Sequence, residues 1–407
     1  MEDRYATLLG RLGEVQDIAG AAGILGWDQR TKMPEAGARA RADQLSTLTR
    51  LAFERFTSDE IGALLDDFEP GMKTAEVTAV FDELKAGLVP LVAEIAERTD
   101  AVDDSALTGD FPVESQEKFE SEILHAFGFL DEEWRVDETA HPFASKGGPH
   151  DVRLTTHHHL DNLTSLFACM HEFGHGLYEY QVDADLYRTP LGRGASLGVH
   201  ESQSRMWENM IGRSLPFWER YFERVSDAFP GRFDGLDADG FYRAVNRVRP
   251  SLIRIHADEC TYNLHIILRF ELEQDLVSGR LAPADAREAW DAKIKEYLGI
   301  EVPDVADGVL QDMHWSGGAI GYFPTYALGN VISAQLWERI RRELPDLDDQ
   351  VRAGELSALR EWLRENVHRH GRKYMPAELL ERVVGGGLDP QPLLGYLREK
   401  FGAIYGL

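Results

Sequence analysis

The sequence predicts an all-α fold with a small β-sheet beside its candidate active site. Three observations predict it. Apolar side chains recur at three- and four-residue spacing along most of the chain, as in helices with one buried face. One region breaks that pattern with a Gly-rich turn between short extended segments: His141-Pro142-Phe143, Lys146-Gly147-Gly148-Pro149-His150 and Asp151-Val152-Arg153-Leu154-Thr155-Thr156. Shortly after it comes Met170-His171-Glu172-Phe173-Gly174-His175-Gly176, an H-E-x-x-H motif in an apolar, helix-compatible segment.

The elements follow in order. Residues 3–26 place Tyr5, Leu8, Leu9, Leu12, Val15 and Ile18 at helical spacing. Residues 38–66 read as one or two helices. Glu69-Pro70-Gly71-Met72 reads as a turn, and Thr74 can cap a helix running to about residue 98. Val77, Val80, Phe81, Leu84 and Leu88 share one face of that helix. The alternating, β-branched run 151–156 predicts a short strand, paired in a small hairpin or sheet. Such an edge can pair with a substrate backbone, or serve only as a connector. Helices are predicted over 114–129, 162–182, 200–227, 239–278, 283–298, 320–341, 346–367 and 390–402.

Composition narrows the function classes. The 407 residues are 43% hydrophobic and 28% charged, ordinary for a soluble globular chain. The net charge of −27 argues against nucleic-acid binding and against docking on anionic membranes. Nine Lys stand against 34 Arg, so the acidic surface reads as a solubilising shell or as adaptation to high salt. Cys169 and Cys260 form neither a disulfide framework nor a C-x-x-C pair, and read as buried thiols. The run MEDRYATLLGRL lacks the apolar core of a secretory signal, and the weakly polar run 19–27 is too short to span a bilayer. The expectation is a cytoplasmic protein.

The chemistry centres on the H-E-x-x-H helix. His171 and His175 are four residues apart, so both imidazoles project from one face and suit one tetrahedral metal. Glu172 lies one step round, where it can hold the attacking water and take its proton. The plain alternative is a helix whose histidines are merely exposed or hydrogen-bonded. Leu166, Phe167 and Met170 argue for burial of its other side. Gly174 and Gly176 each cost a helix about 1 kcal/mol against Ala, which makes sense if something packs closely there. A third ligand is needed, and Glu201 in His200-Glu201-Ser202-Gln203 is the candidate, with Glu179, Glu208 and His200 as competitors. The plain alternative for Glu201 is an i,i+4 pair with Arg205.

Two further segments carry candidate binding groups. Arg254 and Asp258 stand one turn apart, either as an internal ion pair or with Arg254 held to receive a substrate carboxylate. Gln311-Asp312-Met313-His314-Trp315 and Gly321-Tyr322-Phe323-Pro324-Thr325-Tyr326 are dense in aromatic and hydrogen-bonding groups. His314, Tyr322 and Tyr326 offer donors for a tetrahedral oxyanion, although aromatic-rich loops are often only core.

Taken together, these motifs resemble the carboxypeptidase Taq family of gluzincin metallocarboxypeptidases. Trp27-Asp28-Gln29, Met33-Pro34, His141-Pro142-Phe143, the D-x-R-x-T motif at Asp151–Thr155, the H-E-x-x-H helix and His200–Gln203 fall in family order. So do Ile253-Arg254-x-x-Ala257-Asp258, Gln311–Trp315 and Gly321–Tyr326. The resemblance implies a two-lobed helical fold with a deep groove, and usually a homodimer. It implies His171, His175 and Glu201 as ligands of one divalent ion, zinc first with cobalt or manganese as alternatives, and Glu172 as general base. It also implies that Arg254 or Arg153 helps recognise the substrate's C-terminus or limits its length; His141 of the H-P-F motif is a further substrate-binding candidate. A single metallocarboxypeptidase domain over 1–407 is expected, with a helical N-terminal lobe over 1–98 and a catalytic core over 99–407.

One departure stands out. The family is usually longer. Here the chain runs from Leu64-Leu65-Asp66-Asp67 straight to Glu69-Pro70-Gly71 and the Phe81-Asp82-Glu83-Leu84 helix, where further helices would be expected. The expected activity is broad removal of single C-terminal amino acids from peptides. The alternatives are an oligopeptidase of the same fold cutting internally and a non-catalytic peptide-binding protein.

Overall fold

The computed structural model describes residues 2–57 and 74–407, with the backbone alone for residues 2–9 and 74. The Leu64–Asp67 segment and the Glu69–Met72 turn lie outside the described residues, as do the side chains of Tyr5, Leu8 and Leu9.

Helices dominate, as the periodicity requires. The chain opens with α1 (Glu2–Thr31), α2 (Ala38–Phe56) and α3 (Thr74–Ala96). Val77, Val80, Phe81, Leu84 and Leu88 of α3 are all buried, each contributing about 1.5–3 kcal/mol by leaving water. Next come α4 (Val113–Phe127), strands β1 (Trp134–Glu138), β2 (Ala144–Gly148) and β3 (Asp151–Thr156), and α5 (Thr164–Gln181). Gly128 closes α4 in the left-handed region at φ 110°, donating its N–H to Leu124 and His125 carbonyls. The remaining helices are α6 (Leu197–Arg205), α7 (Leu215–Ala228), α8 (Ala238–Val245), α9 (Glu259–Val277), α10 (Ala286–Leu298), α11 (Pro324–Glu343), α12 (Leu347–Ala353), α13 (Ser357–Asn366), α14 (Pro376–Val384) and α15 (Gln391–Tyr405).

Several long helices expected from periodicity are interrupted. The stretch 200–227 passes through a π-helical turn at Met206–Ile211 and then breaks, because Ser214 caps α7 by accepting the Phe217 N–H at 3.3 Å. The stretch 239–278 breaks over residues 246–258, where Asp258 caps α9 by accepting the Cys260 and Thr261 N–H groups. Gly354, at φ 76°, separates α12 from α13. Strand β1 and helix α14 were not anticipated from the sequence.

The sheet has the order β1-β3-β2. The expected strand 151–156 is its centre, antiparallel to β2 through the Gly-rich turn and parallel to β1. Gly147 sits at a bulge in β2, where a Cβ would push aside the Asp151 carboxylate that holds Arg153.

Chain contacts define two compact units, each assembled from separated segments. One comprises Met1–Gly71, Gly109–Ser196 and Leu344–Val383. The sheet, α4 and α5 lie in this unit. The other comprises Met72–Thr108, Leu197–Glu343 and Val384–Leu407. In it α6 packs along α11, and α15 packs on α3 and α11. A buried ionic group ties α15 to the start of α9: Lys400 donates to Glu259 Oε1 at 2.5 Å and Tyr396 OH to Glu259 Oε2 at 3.0 Å.

Candidate active site

Helix α5 carries the H-E-x-x-H motif. Asn162 accepts the Thr164 N–H at 3.0 Å and sets the chain into its first turn. Leu166, Phe167, Cys169, Met170 and Phe173 are buried. Gly176 lies on β3 and β1: a Cβ there would stand 2.8 Å from Leu154 Cδ2 and 2.9 Å from Trp134 Cζ3. The close approach expected for these glycines is therefore found at Gly176. It lets the helix settle on the sheet, with Trp134 stacked on Phe173 at 5.4 Å.

The His171 and His175 rings are 4.9 Å apart between centroids, tilted by 81°, and both remain part-exposed. Glu172 is buried at 6% exposure. Cys169, also buried, donates to Glu120 Oε2 at 3.3 Å.

In the other unit, Glu201 is buried in α6. Its carboxylate is held on both oxygens. Arg205 Nε donates to Oε1 at 2.8 Å, and Ser204 Oγ donates to Oε2 at 3.2 Å. The i,i+4 pair with Arg205 therefore exists, but it is buried and extended rather than a solvated surface pair. Arg205 NH1 also reaches Glu208 at 3.2 Å, and the guanidinium stacks 4.2 Å over Tyr262. Burial works against the Arg205 charge, but Tyr262, Glu201 and Glu208 outweigh it and hold its pKa above the usual value. Helix α11 passes close: a Cβ on Gly329 would stand 2.5 Å from Glu201 Cγ and 2.6 Å from its Cβ. Of the competing carboxylates, Glu179 accepts the Gly194 N–H at 2.9 Å and Glu208 is engaged by Arg205.

Arg254 is not paired with Asp258, because Asp258 is spent on capping α9. Instead, Arg254 Nε and NH2 donate to Asp312 Oδ1 at 3.1 and 2.9 Å, and its N–H donates to Gln311 Oε1 at 3.0 Å. Arg269 Nε donates to the other Asp312 oxygen at 2.6 Å. Burial alone would raise the Asp312 pKa, but the two guanidiniums keep it below the ordinary carboxylate range. Arg254 also stacks 5.0 Å over Tyr326 and lies 3.4 Å from Tyr262 OH.

His314 Nε2 and Tyr326 OH are 3.2 Å apart, and Tyr322 packs 5.4 Å from the His314 ring. Burial, helped by Arg254, depresses the His314 pKa, and burial raises that of Tyr326. Near neutrality the pair is an uncharged imidazole and an uncharged phenol, one hydrogen bond apart. Arg254, His314, Tyr322 and Tyr326 thus form one cluster, joined through Tyr262 to Arg205 and Glu201. Arg153, by contrast, is bound to its neighbour Asp151 at 2.7 and 2.9 Å and stacks 4.5 Å over Trp27. His141 is exposed. The sequence reading missed Tyr262, Arg269 and the bridging role of Asp312, for which no local pattern exists.

The family model for carboxypeptidase Taq (M32) metallopeptidases matches residues 7–64 and 61–401. The chain belongs to that family. The carboxypeptidase Taq match falls in two segments that meet at residues 61–64. Thermostable carboxypeptidase 1 of Thermus thermophilus is 46% identical over 345 residues, covering 84% of this chain and 68% of the relative. Carboxypeptidase 1 of Bacillus subtilis is 40% identical over 344 residues, covering 84% and 69%. The crystal structure of an M32 carboxypeptidase from Deinococcus radiodurans matches with a TM-score of 0.95 at 36% identity, covering all of both chains. Like its carboxypeptidase Taq relatives, this chain is a metallocarboxypeptidase, a metal-dependent hydrolase of peptides. Its fold is the family's helical one with a small sheet. The family implies a divalent metal, and His171, His175 and Glu201 are a group that could hold one. Two imidazoles and one carboxylate are a donor set that such an ion accepts while keeping a position open for chemistry. Among the described residues, no helix is long and apolar enough to cross a membrane.

Proposed function

We propose that His171, His175 and Glu201 bind one zinc ion, and that the enzyme releases single amino acids from the C-termini of peptides with broad side-chain tolerance. The observation that carries this reading is the donor set itself: two imidazoles one helical turn apart and a buried carboxylate whose oxygens are fixed by Arg205 and Ser204. Cobalt or manganese would suit the same ligands. A divalent ion there would supply Lewis-acid polarisation of the scissile carbonyl.

The remaining roles fall to the chain's own groups. Glu172 takes the proton of the attacking water and returns it to the leaving amine. The uncharged His314–Tyr326 pair, with Tyr322 beside it, donates to the oxyanion. Arg254 receives the substrate's terminal carboxylate. Its support is that Asp312, Gln311 and Tyr326 hold it rigidly, so little rotamer entropy is lost on binding. Arg153 and His141 are assigned to substrate contacts further from the cleaved bond. The whole of 1–407 acts as one catalytic domain, with residues 1–98 as its N-terminal part. A cytoplasmic homodimer is inferred from the resemblance and from the two free, buried cysteines.

The test uses one peptide as its free acid and as its C-terminal amide, digested with and without chelator and followed by mass spectrometry. Stepwise loss of C-terminal residues from the free acid alone is expected. Equal internal cleavage of both would replace this reading with that of an oligopeptidase.

A further inference from the structure

Tyr262 stands near the start of α9, buried at 5% exposure, between two arginines with different duties. On one side, Arg254 NH1 donates to its hydroxyl at 3.4 Å. NH1 is the nitrogen that Asp312 does not hold, since Asp312 takes Nε and NH2. On the other side, the Arg205 guanidinium lies 4.2 Å over the Tyr262 ring. Arg205 Nε in turn fixes Glu201 Oε1 at 2.8 Å. One side chain thus touches both the arginine assigned to the substrate's terminal carboxylate and the arginine that orients a proposed metal ligand.

The two sides differ in charge balance. Arg254 and Arg269 share the single carboxylate of Asp312, so a positive charge is left over where the substrate's carboxylate would sit. Across the ring, Arg205 and Arg213 are matched by Glu201 and Glu208, and none is left over. A surplus cation suits a carboxylate and would repel a metal ion. Burial outweighs the two guanidiniums and raises the Tyr262 pKa, so the phenol is uncharged near neutrality and cancels neither of them.

A phenylalanine would fill nearly the same space. The hydroxyl is what reaches Arg254, and the ring face is what Arg205 lies on, well within cation–π range. The two halves of the side chain therefore serve different partners. We propose that Tyr262 is a positioning residue for the peptidase reaction: its hydroxyl sets Arg254 for the substrate's terminal carboxylate, and its ring sets Arg205, and through it Glu201, for the metal. This role rests on the assignments of Arg254 and Glu201 made above.

The experiment measures zinc affinity by chelator competition, and KM and kcat on one free-acid peptide, for variants of the full chain. Tyr262→Phe removes the hydroxyl alone. It should raise KM about three- to tenfold, as for loss of one hydrogen bond to a charged group, move kcat less, and keep the parental zinc affinity. Tyr262→Leu removes the ring face as well and should weaken zinc binding at least about tenfold. A residue that only filled the core would lower the melting temperature without dividing its effects in this way. Arg254→Lys is measured beside them. A raised KM in Arg254→Lys with a parental KM in Tyr262→Phe would overturn the proposal. So would parental zinc affinity in Tyr262→Leu, or an equal loss of it in both Tyr262 variants. A parental KM in Arg254→Lys would instead refute the assignment of Arg254 to the carboxylate, and the role of the Tyr262 hydroxyl with it. Tyr262→Phe keeps the packing, so the test stands even if Tyr262→Leu does not fold.

Discussion

Replacing Gly329 by Ala probes the proposed metal centre without touching any charged group. The new Cβ would stand 2.5 Å from Glu201 Cγ, 2.6 Å from its Cβ and 3.1 Å from its carbonyl carbon. Carbon atoms in comfortable contact are about 3.5–4.0 Å apart, so Glu201 must retreat by roughly 1 Å. A rotamer change cannot absorb this, because the backbone carbon is part of the contact. Overpacking costs about 1–3 kcal/mol, and Ala regains about 1 kcal/mol of helix propensity over Gly. The expected net loss is about 0–2 kcal/mol of stability, with a larger effect on metal affinity. Displacing a ligand relative to the groups that orient it typically costs about 10–100-fold. Thermal melting and chelator competition on the purified protein measure both quantities. Gly395→Ala, in α15 with nothing within 4 Å of its Cβ, is the control, and should gain about 0.5–1 kcal/mol. A Gly329→Ala protein with the parent's melting point and metal affinity would refute the reasoning.

Four other outcomes follow from the same geometry. Glu172→Gln should keep the metal yet lower kcat by at least about 10²–10⁴-fold; near-parental turnover would sink its assignment as base. Asp312→Asn would leave two buried guanidiniums facing each other and should cost about 3–5 kcal/mol, read as a lowered urea midpoint. Burial, with Arg269 and Arg254 nearby, pushes His265 down to about 3. The folded protein therefore keeps it neutral while the unfolded chain takes a proton below about pH 6.5. Its contribution is intact above that pH and is lost on acidification toward 3, by about 1.4 kcal/mol per unit; His265→Gln should flatten that limb of the stability–pH curve. Arg254→Lys should raise KM for free-acid peptides by more than Arg153→Lys does; the reverse order would move the terminal carboxylate to Arg153.

The parts of this enzyme that were legible in the sequence are those built from neighbours along the chain. His171, Glu172 and His175 share one helix, so spacing alone puts them together. The β2–β3 hairpin announces itself through its Gly-rich turn. What was hidden is non-local. Strand β1 pairs in parallel with the strand beginning at Asp151, past the intervening β2, and no turn signal marks such a pairing. Asp258 looked like the partner of Arg254 because it is one turn away. Its side chain is consumed by the α9 N-terminus, and the true partner, Asp312, is 58 residues distant. The breaks at Ser214 and near Pro250 had local signals that the strong helical periodicity on either side overrode. So did α14, whose Pro376 is a common first helical residue.

The interleaving of the two units bears on how the chain folds during synthesis. Each unit needs three segments, and the second is closed by Val384–Leu407. Until α15 has left the ribosome, Glu259 has neither Lys400 nor Tyr396 to satisfy its carboxylate. The apolar faces of α3 and α11 that α15 covers are likewise exposed through that interval. Completion of this unit therefore awaits the synthesis of α15, and until then the nascent chain carries an unfinished core, the condition under which chaperones engage a polypeptide. Loss of even the last two helical turns should produce an aggregating chain, although every proposed ligand and catalytic residue would still be present.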